Sequence, residues 1–169
     1  MGIDDELPKE STEVGSDELL SDDNLRLPES ANTLVRLHAI RAWLTCRQRE
    51  TSIEIGEMAL SLQQLLQEGA QETCFRRRER QSTARLQQAQ QLLQEAQQRL
   101  NAYEEAEALL EDCLAHTTTG ERALVEYYPT LDELVHNSIG TAGAKPAPWY
   151  EALADVQQRI ERVSAPSEQ

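Results

Sequence analysis

Proline is absent between Asn32 and Thr117, and glycine occurs there only at Gly56 and Gly69. Without breakers, and rich in leucine, glutamine and arginine, that stretch reads as long helix. Aromatic residues are scarce at 4%, with a single phenylalanine, Phe75, a composition poorly suited to a β-sandwich or a doubly wound sheet. No apolar run approaches the ~20 residues of a membrane span. The first residues show no basic segment followed by an apolar core, which argues against a secretory signal, and their acidity argues against a mitochondrial presequence. Three cysteines, Cys46, Cys74 and Cys113, are odd in number, widely spaced and form no CxxC pair, a pattern of free thiols in a reducing compartment. The expectation is an intracellular, cytoplasmic protein, with the nucleus also open.

What is present is charge, unevenly placed. The net charge is −14 over 169 residues. Residues 1–30 hold ten acidic and two basic side chains, residues 31–85 hold nine arginines against six glutamates, and residues 86–169 hold fourteen acids against five basic groups. An arginine-rich middle between acidic ends can steer antiparallel pairing within or between chains. The alternative is an ordinary solvated helix surface, because exposed ion pairs are individually weak.

Two apolar stripes run along the proline-free stretch. In the second half Leu86, Ala89, Leu93, Ala96, Leu100, Tyr103, Leu110 and Leu114 fall on three- and four-residue steps, the pattern of a helix that faces another helix. In the first half Leu34, Leu37, Leu44, Ile55, Met58, Leu62 and Leu65 follow a similar register, interrupted at Arg41, Gln48 and Thr51. Ile40, Trp43, Ile53, Leu60 and Leu66 lie beside that stripe and widen it, which points to more than one neighbour. The two registers do not align across residues 69–81. The mismatch is a stammer in one continuous helix or a turn where the chain folds back. Gly69 alone is a weak turn signal, so the sequence favours a continuous helix over 32–116, about 130 Å long.

The flanks differ in kind. Residues 1–30 are acidic, free of aromatics and punctuated by Pro8, Gly15 and Pro28, a composition that favours disorder. Leu19, Leu20, Leu25 and Leu27 within them fit a short docking segment or plain linker, and Ser16 and Ser21 are each followed by two acids. A helix start is expected at Ser30 or Asn32 as cap. Thr117 to Gly120 should end the long helix. Short helical turns then read over 121–128 and 131–138, separated at Pro129, followed by a flexible loop over 140–148. In the final helix, 149–163, Trp149, Leu153, Val156, Ile160 and Val163 form an apolar stripe that should dock on the long helix or on a partner. Residues 164–169 read as a disordered end.

Motifs for chemistry are sparse. Cys113 and His116, three apart, supply at most half a zinc site, while His38 and His136 have no ligand at metal spacing. No phosphate loop, nucleophile elbow or HExxH pattern occurs, so neither a catalytic residue nor a metal or other cofactor is expected. Arg76, Arg77, Arg78 and Arg80 are a candidate contact for an anionic surface, although consecutive arginines point around a helix and the overall charge opposes a polyanion.

The sequence therefore predicts an all-α protein: a disordered acidic tail, an elongated coiled-coil or long helical bundle over 31–116, short helices over 117–148 and a C-terminal helical cap. Its expected role is non-enzymatic, a scaffold subunit of an intracellular protein complex such as a tether or a cytoskeletal, kinetochore-type or autophagy-type assembly. Protein partners, homo- or hetero-oligomeric, would be held by Leu37, Leu44, Ile55, Met58, Leu62, Leu65, Leu86, Leu93, Leu100, Tyr103, Leu110 and Leu114, and by the stripe on the last helix. Two alternatives stay open: a peripheral membrane protein using the Arg76–Arg80 patch, and an assembly or secretion-type chaperone. Nucleic acid is disfavoured as a partner for so acidic a chain.

Overall fold

A computed structural model describes residues 33–71, 76–139 and 144–164, with the side chains of 69–81 outside the description. The acidic segment 1–30, the cap positions Ser30 and Asn32, the loop residues 140–143 and the last five residues fall outside it, as do the side-chain contacts expected of Arg76, Arg77, Arg78 and Arg80. The described residues form four helices and no strand: α1 (Thr33–Gln71), α2 (Arg76–His116), α3 (Gly120–Ile139) and α4 (Ala147–Ser164).

The proline-free stretch is two helices, not one. α1 and α2 pack against each other, and their cross-links run in opposite senses along the chain. Arg41 pairs with Glu111, Gln48 Nε2 donates to Glu107 at 2.7 Å, and Arg99 meets Glu54 at 3.0 Å. Rising numbers on α1 meet falling numbers on α2, so the hairpin is antiparallel. The expected continuous helix is corrected here for a physical reason. The register change is where each apolar stripe turns to face the other, whereas a straight rod would leave both in water.

α2 closes with Thr117 N–H donating to the Cys113 carbonyl at 3.1 Å. Thr119 then caps α3, its Oγ1 accepting from the Arg122 amide at 3.4 Å. Gly120 begins α3 against α1, and a Cβ there would stand 3.2 Å from side-chain carbons of Leu34 and Leu37. Two short helical segments are expected around Pro129 from sequence, but α3 runs through it. Proline removes the amide that would bond the Val125 carbonyl. Val125 is 72% exposed, and Thr130 Oγ1 donates to the Glu126 carbonyl at 2.7 Å.

α4 starts with Pro148 in its first turn, where a missing amide costs nothing. It lies antiparallel to α1, with Arg159 over the Trp43 ring and Arg36 Nη1 donating to the Ser164 carbonyl at 3.5 Å. The core combines Leu37, Ile40, Trp43 and Leu44 of α1, Ala102 to Cys113 of α2, Ala123, Tyr127 and Leu131 of α3, and the whole α4 stripe. α3 and α4 are therefore parts of the core and not a cap placed on it. Beyond Thr51 on α1 and before Ala96 on α2, no described residue is buried. A four-helix base thus continues into a two-helix arm.

Gly56 lies in α1 of the arm, exposed, with no positive φ and nothing within 4 Å of where an alanine methyl would stand. Its only effect is entropic, so Gly56→Ala should raise stability by about 0.5–1 kcal/mol. Urea unfolding monitored by circular dichroism checks this, with an unchanged slope and a higher midpoint expected.

Candidate interaction surface

The residues expected to bind partners divide into two groups. Leu37, Leu44, Tyr103 and Leu110 are buried in the base, and Leu114 packs against the same core. Trp149, Leu153, Val156, Ile160 and Val163 are covered by the chain's own helices, none more than 2% exposed. The stripe on α4 therefore docks within the chain, and these nine buried side chains present no surface to a second protein.

Polar contacts lock that docking in register. Tyr127 Oη donates to the Ala106 carbonyl at 2.8 Å inside the core, and Trp149 Nε1 donates to Glu105 at 3.2 Å. Lys145 bridges to the same carboxylate at 2.7 Å and lies over the Trp149 ring. Trp43 and Tyr103 meet edge to face with centroids 6.1 Å apart, a favoured geometry for aromatic quadrupoles.

The second group lies on the arm. Ile55, Met58, Leu62 and Leu65 on α1, and Leu86, Ala89, Leu93 and Leu100 on α2, are only half-buried. Around them Ile53, Leu60, Leu66 and Leu92 are largely exposed. One face holds a groove of about 310 Å³ lined by Glu54, Glu57, Met58, Ser61, Ala89 and Leu92. The sequence places Ile53, Leu60 and Leu66 against a further neighbour; within this chain they meet water. Two helices cover only part of each other's apolar surface, and among the described residues the arm lacks the third and fourth helices that complete the base.

The groups weighed for chemistry do not converge. Cys113 is buried, whereas His116 is exposed and points back to Asp112, its Nδ1 2.8 Å from the carbonyl and 3.2 Å from Oδ1. His136 repeats that arrangement with Asp132, and His38 is exposed. Among the described residues, no three His, Cys, Asp or Glu side chains are grouped to hold a metal. Burial pushes the Cys113 and Cys46 thiols up, with Glu50 adding to the effect at Cys46, so neither is activated as a nucleophile. Glu104, Glu107, Glu111 and Asp112 line an open acidic depression on α2.

Several residues of the site escape a reading of the sequence. Tyr127 and Leu131 continue a four-residue spacing from Ala123, a signal obscured by Pro129 between them. Arg159 lies in the apolar row of α4 and is 4% exposed, which an arginine seldom is.

No family model matches this chain, and no curated protein or solved structure matches it. Among the described residues, no helix is long and apolar enough to cross a membrane.

Burial, reinforced by Asp155, pushes the Tyr103 phenol up to about 12, and burial raises that of Tyr127 further. Both phenols are neutral in the fold, while the unfolded chain ionises them near pH 10. Their contribution is intact below about pH 10 and is lost as pH climbs toward the folded value, because the unfolded state binds fewer protons there. Urea unfolding from neutral to alkaline pH should show this decline, and Tyr103→Phe should flatten it.

Proposed function

We propose that the chain is a non-enzymatic interaction subunit of a larger intracellular assembly, and that its arm is the contact surface. The observation that carries this reading is the half-covered apolar stripe from Ile55 to Leu65 and Leu86 to Leu100, bordered by exposed Leu60, Leu66 and Leu92. Solvent-exposed apolar surface of this continuity marks protein contacts. In the base the stripes of α1, α2, α3 and α4 fill one another, and its exposed large apolar side chains are Leu34 and Val35 at the start of α1 and Val125 and Ile139 on α3.

The occupant that fits the arm is the arm of a second copy. Residues 50–71 carry four glutamates and no lysine or arginine, while residues 76–99 carry six arginines and two glutamates. A two-fold axis that lays α1 of one copy on α2 of the other sets acidic against basic along both contacts, and closes two hairpins into a four-helix bundle. Matching charge fixes register and steers encounter; the apolar stripe supplies the affinity. Scaffolding by coiled-coil pairing follows from such an arm, with the base as a folded end piece.

Sedimentation velocity of the full chain tests the proposal. The wild type should sediment as an elongated dimer at micromolar concentration. Leu92→Asp, placed on a side chain already exposed in the single chain, should give a monomer of unchanged helicity. A wild-type monomer at all accessible concentrations contradicts homotypic pairing, and a Leu92→Asp dimer removes the groove from the interface.

A further inference from the structure

Gly56 has no packing role within its own chain. It weakens a helix relative to alanine, yet its φ is not positive and nothing lies within 4 Å of a Cβ placed there. Its neighbours along the same side of α1 are large and bare: Ile53 is 55% exposed and Leu60 is 63% exposed. A stretch of bare backbone between two apolar knobs is a relief that lets a second helix approach closely.

This face is separate from the arm groove. Leu60 stands about 160° around α1 from Met58 and Leu62, and Ile53 about the same from Ile55, so both turn away from α2. The face extends in seven-residue steps: Ala42, Arg49, Gly56 and Gln63 form one row, and Cys46, Ile53, Leu60 and Gln67 the other. All are exposed in the single chain except Cys46, which is half-buried. Two rows with that repeat keep one continuous line along a helix, the pattern that a facing helix covers.

We propose that the outer face of α1 around Gly56 is a second self-association surface, which receives the same face of another copy in an antiparallel crossing. The face complements itself about a two-fold axis midway between residues 53 and 56. Ile53 of each copy then seats at Gly56 of the other, and Leu60 lies on the aliphatic stem of the other copy's Arg49, since both residues are equally far from the axis. The Arg49 guanidinium comes within one turn of the other copy's Glu57. Along their own helix Arg49 and Glu57 are about 12 Å apart and do not meet. A parallel alignment instead sets Gly56 on Gly56 and Arg49 on Arg49, a gap beside a repulsion. The contact is short and ends in glutamines, so it fills at higher concentration than the arm groove, and at micromolar concentration it is empty. Added to the arm contact it joins one dimer to the next, because two different two-fold contacts on one chain extend an assembly beyond two copies.

Sedimentation equilibrium of the full chain carrying Leu92→Asp isolates this contact, because that substitution takes the arm groove out of association. A dimer should form with a dissociation constant on the order of 100 µM, as suits a small interface. Adding Gly56→Leu, which fills the notch and favours helix, should weaken association at least about tenfold while raising the urea midpoint, so that loss of the dimer is not loss of the fold. Arg49→Glu and Glu57→Arg should each weaken it about fivefold alone, and an equimolar mixture of the two should restore it, because each variant then meets its complement. A Leu92→Asp chain that stays monomeric to about 1 mM overturns the proposal, as does a dimer that survives Gly56→Leu. A mixture that associates no better than the separate variants overturns the antiparallel register. If wild type and Leu92→Asp associate alike, the arm reading fails, and the present one stands where Gly56→Leu still abolishes the dimer.

Discussion

A pair of amphipathic helices has more apolar surface than the two can hide from water, and the rest of this structure follows from that constraint. α1 and α2 meet along their stripes, yet each stripe is wider than one contact. At the base the excess is covered: α3 and α4 lay Tyr127, Leu131, Trp149, Leu153 and Val156 over Ile40, Leu44 and Leu110, and these side chains become inaccessible. Further out no such cover is present among the described residues, and the same kind of leucine stays half-exposed. One hairpin thus has a finished end and an unfinished one. The finished end supplies the folding energy, because burying a large aliphatic or aromatic side chain contributes about 1.5–3 kcal/mol.

Polar groups decide orientation more than stability. Glu105 receives both Trp149 and Lys145, Glu107 receives Gln48, and Asp155 receives Tyr103. These pairs cross between helices at the rim of the core, where water still reaches the ions and each bridge contributes modestly. Their value lies in register, since a one-turn slip of α4 along α2 would part Trp149 from Glu105. Tyr127 differs in kind. Its hydroxyl is inside the core, and its bond to the Ala106 carbonyl gives that buried donor the acceptor it would otherwise lack.

Much of this was legible from residues alone. The absence of proline and the scarcity of glycine pointed to helix over 32–116, and the spacing of Trp149, Leu153, Val156 and Ile160 identified one docking face. The fold-back between Gln71 and Arg76 was not legible, because the segment lacks the Gly, Pro, Asn or Asp that ordinarily mark a helical hairpin. Continuity of α3 was hidden by Pro129, whose ring is tolerated beside the exposed residue Val125. Whether the α4 stripe meets its own chain or a partner is a tertiary question that periodicity cannot answer. The stripe fixes that a face must be covered and is silent on what covers it. The meeting of Arg47 and Arg159 on the Trp43 ring was invisible for the same reason, since it arises only through the packing of α4 on α1.

Residue-resolved hydrogen exchange under native conditions tests the central claim, that one hairpin is closed at its base and open along its arm. Amides of Leu37 to Leu44, Ala102 to Cys113 and α4 should exchange only through global unfolding. Those of Ile55 to Leu65 and Leu86 to Leu93 should exchange through a smaller opening, with protection that rises as the protein is concentrated. Equal protection along the whole hairpin, independent of concentration, would contradict the account.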